Sequence, residues 1–167
     1  MPEPVSLPDS KETLVVERSP LKIVSGGQTG VDRGALDAAR LVGIPHGGWC
    51  PRGRLAEDGR VPEVYALEET RSDRYAVRTA RNVVDSDGTL ILTRGRPSGG
   101  TALTARLARQ HGKPLLVIDL NDAPDPEAVR SWIRAHDLRV MNVAGPRESS
   151  APGIQRDAER FLLEVLG

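Results

Sequence analysis

Short aliphatic runs alternate with stretches of helical periodicity along most of this chain. The run LKIVS at residues 21–25 predicts a strand, and the segment after it places Ala35, Leu36, Ala39 and Val42 on one helical face before Gly43 stops it. A helix over about residues 74–84 carries Ala76, Val77, Ala80, Val83 and Val84 on one face. GTLILT at 88–93 is an uninterrupted aliphatic strand, as found in sheets buried on both faces. A helix with Leu103 and Leu107 then ends at Gly112, and PLLVIDL at 114–120 gives another strand. Asp125 and Pro126 open the next helix at its N-cap and N1 positions, with Val129, Trp132 and Ile133 on its apolar side. RVMNVAG at 139–145 predicts the last strand, and Ile154, Ala158, Phe161, Leu162, Val165 and Leu166 recur at helical spacing to the end.

This alternation predicts an α/β fold: a doubly wound, mainly parallel sheet of about five strands, helices on both faces and right-handed crossovers. No internal repeat is evident. Two segments break the pattern. Residues 1–20 hold Pro2, Pro4, Pro8 and Pro20 among polar residues and are expected to form a loose tail, with residues 13–16 as a candidate short edge strand. Residues 44–63 are rich in Gly and Pro, which predicts a short strand around His46 to Cys50 and then a long loop over about 51–73. The expected organisation is a tail over 1–20 and a single ligand-binding domain over 21–167.

Composition narrows the chemistry. With 38% hydrophobic but only 3% aromatic residues, the core must be built from Val, Leu, Ile and Ala in close layers. The 23 basic and 23 acidic side chains cancel, so no global field draws the protein to nucleic acid or to an anionic membrane, and any anion site must be local. Cys50 is the only cysteine, no apolar run approaches the roughly 18 residues a membrane span needs, and the first residues lack the order of a signal peptide. A cytoplasmic location is expected.

The candidate chemistry lies at three glycine-rich junctions between a strand end and a helix start: SGGQTG at 25–30, PSGGT at 97–101 and GPRESSAPG at 145–153. A parallel sheet puts all three on one edge, where helix N-termini present bare N–H groups and glycine lets backbone approach a ligand. One such turn is explained by helix entry alone. Three on one edge, two of them with Ser or Thr hydroxyls beside paired glycines, favour a cradle for a phosphate or another oxyanion. No Lys-Ser/Thr pair follows the glycines and no G-x-G-x-x-G is present, so neither a P-loop nor a plain dinucleotide fingerprint fits. Asp32 suits either helix capping or ligand contact. Arg33 is a poor choice near a helix N-terminus unless an anion lies between them. Arg147 is a candidate ligand contact, and Ser149 and Ser150 equally serve as caps. Trp49 reads as a packing plug or a stacking surface, Arg52 and Arg54 as solvated. His46 and Cys50 lack the partners of a tetrahedral metal site, so no metal is expected.

Four segments, SGGQTGVDRGALDAA, GIPHGGWCPRGRLAEDG, GGTALTA and NVAGPRESSAPGI, together resemble the molybdenum carrier family, the circularly permuted YpsA branch of the SLOG superfamily of Rossmann-like proteins. The resemblance runs from about Lys22 to the C-terminus. It implies a Rossmann-like domain that binds a phosphorylated nucleotide-derived or pterin ligand, with molybdenum cofactor or a nucleotide as the cofactor, and a dimer or tetramer. Carried over residue by residue, it implies binding roles for Gly26, Gly27, Gln28, Thr29, Gly30, Asp32 and Arg33, and for Ser98, Gly99, Gly100, Thr101 and Thr104. Gly145, Arg147 and Glu148 join them from the third junction. Phosphoribohydrolase relatives use P-G-G-x-G-T-x-x-E, whereas PSGGTALTA has Thr104 and Ala105 where an acid is expected. Hydrolysis of a nucleoside monophosphate at its N-glycosidic bond would therefore need an acid from elsewhere: Asp32, Glu57, Asp85, Asp87 or Glu148.

Overall fold

A computed structural model describes residues 21–167; the expected tail and the candidate strand at 13–16 lie outside the described residues. In chain order the elements are β1 (Lys22–Val24), α1 (Val31–Val42), β2 (His46–Gly47), β3 (Trp49–Cys50), β4 (Leu55–Ala56), β5 (Gly59–Arg60), β6 (Glu68–Glu69) and α2 (Tyr75–Val84). They continue with β7 (Gly88–Thr93), α3 (Gly99–Gln110), β8 (Leu115–Asp119), α4 (Pro126–Ala135), β9 (Val140–Ala144) and α5 (Ile154–Leu166).

Five strands form one parallel sheet in the order β2-β1-β9-β7-β8. Ile23 of β1 pairs with His46 on one side and Met141 on the other, and Leu90 of β7 pairs with Val143 and Leu116. The last strand in the sequence is thus the middle strand of the sheet. Among these five, moving that strand to the front of the chain and renumbering gives the order 3-2-1-4-5, that of a Rossmann sheet. The topology is Rossmann-like with its ends relocated, and the crossovers diverge to either side of β9. Ligands of such sheets bind at the carboxyl ends of the strands where this divergence occurs.

All six residues of β7 are buried, as their aliphatic run predicts, and β8 forms a half-buried edge. The main core joins Ile23, Leu90, Leu92, Met141 and Val143 of the sheet to Val31, Ala35 and Ala38 of α1, Val129 of α4, and Ile154, Ala158, Phe161 and Leu162 of α5. Small residues let α1 lie close to α5: a Cβ on Gly34 would approach the Gln155 carbonyl to 2.5 Å. Asp125 caps α4 through the N–H of Glu127 at 2.9 Å, with Pro126 at the first position. Among the described residues no helix is long and apolar enough to cross a membrane.

Three features depart from the sequence expectation. The strand around His46 to Cys50 is two short strands: β2 joins the main sheet, while β3 pairs with β6. The long loop is folded, carrying a 3-10 turn at Arg52–Arg54, the β4–β5 hairpin and β6 over a second cluster of Leu36, Cys50, Ala56, Val61 and Tyr65. Arg54 is not solvated but buried; its guanidinium donates to the carbonyls of Val61 at 3.0 Å, Pro62 at 2.7 Å and Tyr65 at 2.8 Å. A five-donor cation can tie several carbonyls that would otherwise need water, which is how a Gly- and Pro-rich segment becomes ordered.

The third departure concerns α2. Val77 and Val84 of its apolar stripe are exposed, while Arg78, Asn82 and Val83 face inward. The reason is polar: Asn82 accepts from Trp49 N at 2.8 Å and donates to Trp49 O at 3.0 Å, satisfying the edge of β3, and Arg78 reaches Gly26 O at 2.9 Å. An unsatisfied buried backbone group costs about 1–3 kcal/mol, comparable to the burial of one Val, so the hydrogen-bonding face turns inward.

Candidate functional site

Gly26, Ser98 to Thr101 and Gly145 to Arg147 line one cavity of about 490 Å³ at the carboxyl ends of β1, β7 and β9. Its floor is Asn142, Val143 and Ala144 of β9, and α2 closes one side with Tyr75, Arg78, Thr79 and Asn82. The volume is that of a small-molecule pocket.

The three junctions differ in how the N–H groups at their helix starts are engaged. In the first, Gln28 N donates to Asp32 Oδ2 at 3.2 Å, Thr29 N to Gln28 Oε1 at 3.1 Å, Gly30 N to Gln155 Oε1 at 3.0 Å and Val31 N to Pro146 O at 3.2 Å. In the third, the Glu148 carboxylate takes the N–H of Gly153 (3.0 and 2.9 Å) and of Gln155 (3.1 Å), capping α5. At α3 the arrangement is reversed. Ser98 makes no side-chain cap, no acid occupies the first turn, and the N–H groups of Gly99 and Gly100 have no acceptor among the described residues. The positive end of a 12-residue helix thus opens into the cavity beside the Ser98 and Thr101 hydroxyls.

At the β1 end a polar cluster is packed into the wall. A Cβ on Gly26 would lie 2.0 Å from Nη1 of Arg78, so glycine is required for that guanidinium to reach the Gly26 carbonyl. The same Nη1 lies 3.4 Å from Oδ2 of Asp32. Asp32 is 7% exposed, and burial pushes its carboxyl above the ordinary range, against the opposing pull of Arg78 and of the Gln28 N–H. Gln28 Oε1 accepts from the backbone of both Thr29 and Glu57 (2.9 Å), whereas its Nε2 is buried with no partner. Tyr75 stands between two cations, with the guanidinium carbons of Arg78 and Arg147 each 5.4 Å from its ring centre.

The raised Asp32 pKa has a signed consequence. The native carboxyl holds its proton at pH values where the unfolded chain has lost it, so stability falls as pH rises from the ordinary carboxyl value through the raised one. Asp32→Asn cannot titrate. The melting temperature of this variant relative to the parent is expected to increase with pH between 4 and 8, by scanning calorimetry. A difference that stays constant over that range would contradict the assignment.

Of the residues selected from sequence, Gly26, Gln28, Asp32, Ser98, Gly99, Gly100, Thr101, Thr104, Gly145 and Arg147 line the cavity. Gly27, Thr29, Gly30, Arg33 and Glu148 do not. The anion that explains Arg33 is the protein's own: Asp58 pairs with its guanidinium at 2.5 and 2.8 Å, while its Nε donates to Gly27 O. Thr29 and Ser149 both donate their hydroxyls to Glu57, so the β4–β5 turn clamps the first junction to the third. These hydrogen bonds, Ser149 foremost, hold the Glu57 carboxyl below its usual range. Trp49 lies away from the cavity, covered by Arg81 at 4.2 Å and donating to Asp85. Asp87 accepts from Arg139 N and Val140 N at the start of β9. Sequence reasoning missed Tyr75, Arg78, Thr79 and Asn82; the available signal was polar residues four apart, Tyr75 with Thr79 and Arg78 with Asn82, along a helix read for its apolar side.

The comparisons with known proteins agree with this architecture. Residues 23–166 match the circularly permutated YpsA SLOG family. The chain is also similar to a crystal structure, at 1.45 Å resolution, of a "Putative molybdenum carrier protein" from Syntrophus aciditrophicus SB. The two share 49% identity over 89% of this chain and 95% of that one, with a TM-score of 0.83. Among curated proteins none matches. A Rossmann-like sheet whose central strand comes last in the chain, matched by the family over nearly all the described residues, places this chain in the circularly permuted YpsA family of the SLOG superfamily.

Proposed function

We propose that this protein binds a small phosphorylated ligand, nucleotide-derived or pterin, holding its anionic group at the N-terminus of α3. The supporting observation is that α3 alone of the three junction helices has neither an acidic cap nor partners for its first N–H groups, and that it opens into the cavity. Arg147 adds positive charge at the lining, and the buried Arg78 adds it in the wall. A carrier of molybdenum cofactor, which bears a pterin and a phosphate, fits this chemistry and the name of the Syntrophus protein. A cytoplasmic homo-oligomer is part of the same reading.

The test is mass spectrometry of small molecules released from the purified protein, with elemental analysis for molybdenum on the same sample. A phosphorylated pterin with stoichiometric molybdenum would establish the carrier; a nucleotide without metal would establish a nucleotide-binding member. A protein that carries no ligand, and whose melting temperature is unmoved by inorganic phosphate, nucleoside monophosphates or pterin phosphates, would refute the reading. Hydrolysis of a nucleoside monophosphate is the second reading. It is favoured by one fact: of Asp32, Glu57, Asp85, Asp87 and Glu148, only Asp32 lines the cavity. Release of free base from a nucleotide panel, abolished in Asp32→Asn, would promote it.

A further inference from the structure

Much of the apolar stripe that the sequence assigns to α2 faces outward. Val77 and Val84, one heptad apart, are 37% and 42% exposed, and with Ala76 and Ala80 they line an open groove of about 620 Å³. Every residue of that groove belongs to α2 or to its two flanking positions, so no other described element covers it. Single surface valines need no explanation, but a contiguous strip along a helix does. The ends of the strip are charged in the unfavourable sense. Arg74 is the N-cap, where the helix dipole is positive, and Asp85 is the C-cap, where it is negative. Arg74 has no ion pair among the described residues. Asp85 accepts from Trp49 Nε1 at 2.8 Å and lies 3.8 Å from Arg81, with its side chain still 48% exposed.

We propose that this face is the contact between two copies of the chain, with α2 packed antiparallel against α2 of the partner subunit. The proposal rests on the homo-oligomer of the preceding reading and not on its ligand. Each helix end then meets the opposite end of its neighbour, and the wrong-signed charges become complementary. Arg74 faces the partner subunit's Asp85, and Asp85 faces the partner subunit's Arg74. The register supports this arrangement. Arg74 and Asp85 are eleven positions apart (85 − 74), about 16 Å along the helix and only about 20° around it, so both lie on one edge of the strip. A two-fold axis through the middle of the strip, at right angles to the helix, brings each residue to the same edge of the partner at reversed height, as an isologous contact requires. The same operation sets Val77 against the partner subunit's Val84. Ala76 and Ala80 are small enough to let the two helix axes approach to about 8–10 Å. Arg81, near the axis, is stacked on Trp49 and paired with Asp85, so its charge is compensated within its own chain. One helix face is a small interface, and a dissociation constant in the micromolar range is expected.

Sedimentation velocity of the full chain across the micromolar range tests this. A reversible dimer is expected, and Arg74→Glu or Asp85→Arg alone should weaken it about 10- to 100-fold, because each puts two like-charged pairs into the symmetric contact. Mixing these two variants in equal amounts should restore the affinity to within about threefold of the parent, since a mixed dimer again opposes unlike charges at both ends. Val77→Glu, at an exposed position, should keep the parent's circular dichroism and lose the dimer. Two weakened variants that do not recover on mixing would overturn the antiparallel register. A dimer indifferent to all of these substitutions uses another face, which overturns the proposal while leaving the oligomer in place. A chain that stays monomeric throughout removes the oligomer itself and leaves the strip to a different partner.

Discussion

Gly100→Asp is expected to weaken binding of AMP or inorganic phosphate about 100-fold while raising the melting temperature. The position is the second residue of α3, exposed, and a Cβ there meets nothing within 4 Å. The fold therefore accepts the side chain. A carboxylate in the first turn complements the helix dipole by about 0.3–1 kcal/mol, and loss of glycine from the helix adds to that. The same charge stands where the ligand anion is proposed to sit, and like charges brought together at a binding site cost several kcal/mol, with every 1.4 kcal/mol worth a factor of ten. Calorimetric melting and titration on one sample separate the two effects. A variant that is more stable and binds phosphate as well as the parent would exclude the N-terminus of α3 as the anion site.

The largest loss of stability is expected at Gly145, where β9 ends at the cavity floor. A Cβ at this position would lie 2.1 Å from the Leu92 carbonyl oxygen, 2.5 Å from Cγ2 of Val31 and 2.8 Å from its Cβ. None of these is the free end of a flexible side chain: Leu92 belongs to the buried strand β7, and Val31 begins α1 in the core. Relief requires moving a strand, a helix start or the third junction itself. Overpacking of this kind costs typically 1–3 kcal/mol, and contact with backbone puts Gly145→Ala at the upper end, about 3 kcal/mol. For a domain of this size that lowers the melting temperature by about 6–12 °C. Denaturant or thermal unfolding checks it; a loss below about 1 kcal/mol would mean that the junction yields easily, contrary to its packing.

Much of the architecture was legible because the patterns that carry it are local. The aliphatic run at 88–93, the Asp125–Pro126 helix start and the stop at Gly43 each encode their element within a few residues, and each is found where expected. Placing three glycine-rich junctions on one edge needed only the inference that the sheet is parallel. Patterns that depend on a distant partner were not legible. The apolar side of α2 was visible in sequence, but its inward-facing side is decided by the open backbone of Trp49 and the carbonyl of Gly26. Arg54 looked like a solvated cation because the four carbonyls it ties together come from a segment whose path the sequence does not specify.

By itself the sequence determined the alternating α/β order, the strand-to-helix junctions and the set of small and hydroxylated residues available to hold an anion, since these follow from short-range periodicity and backbone preference. Only the tertiary structure decided that β9 lies at the centre of the sheet and that α2 lends Tyr75 and Arg78 to the cavity. It also decided which of three similar junctions is open. Asp32, Gln28, Gln155 and Glu148 accept N–H groups at the helix starts of two of them, whereas those of Gly99 and Gly100 at α3 have no acceptor among the described residues. The physical reason is that a helix N-terminus binds an external anion only where no group of the protein has reached it first, and that depends on contacts between residues far apart in the chain.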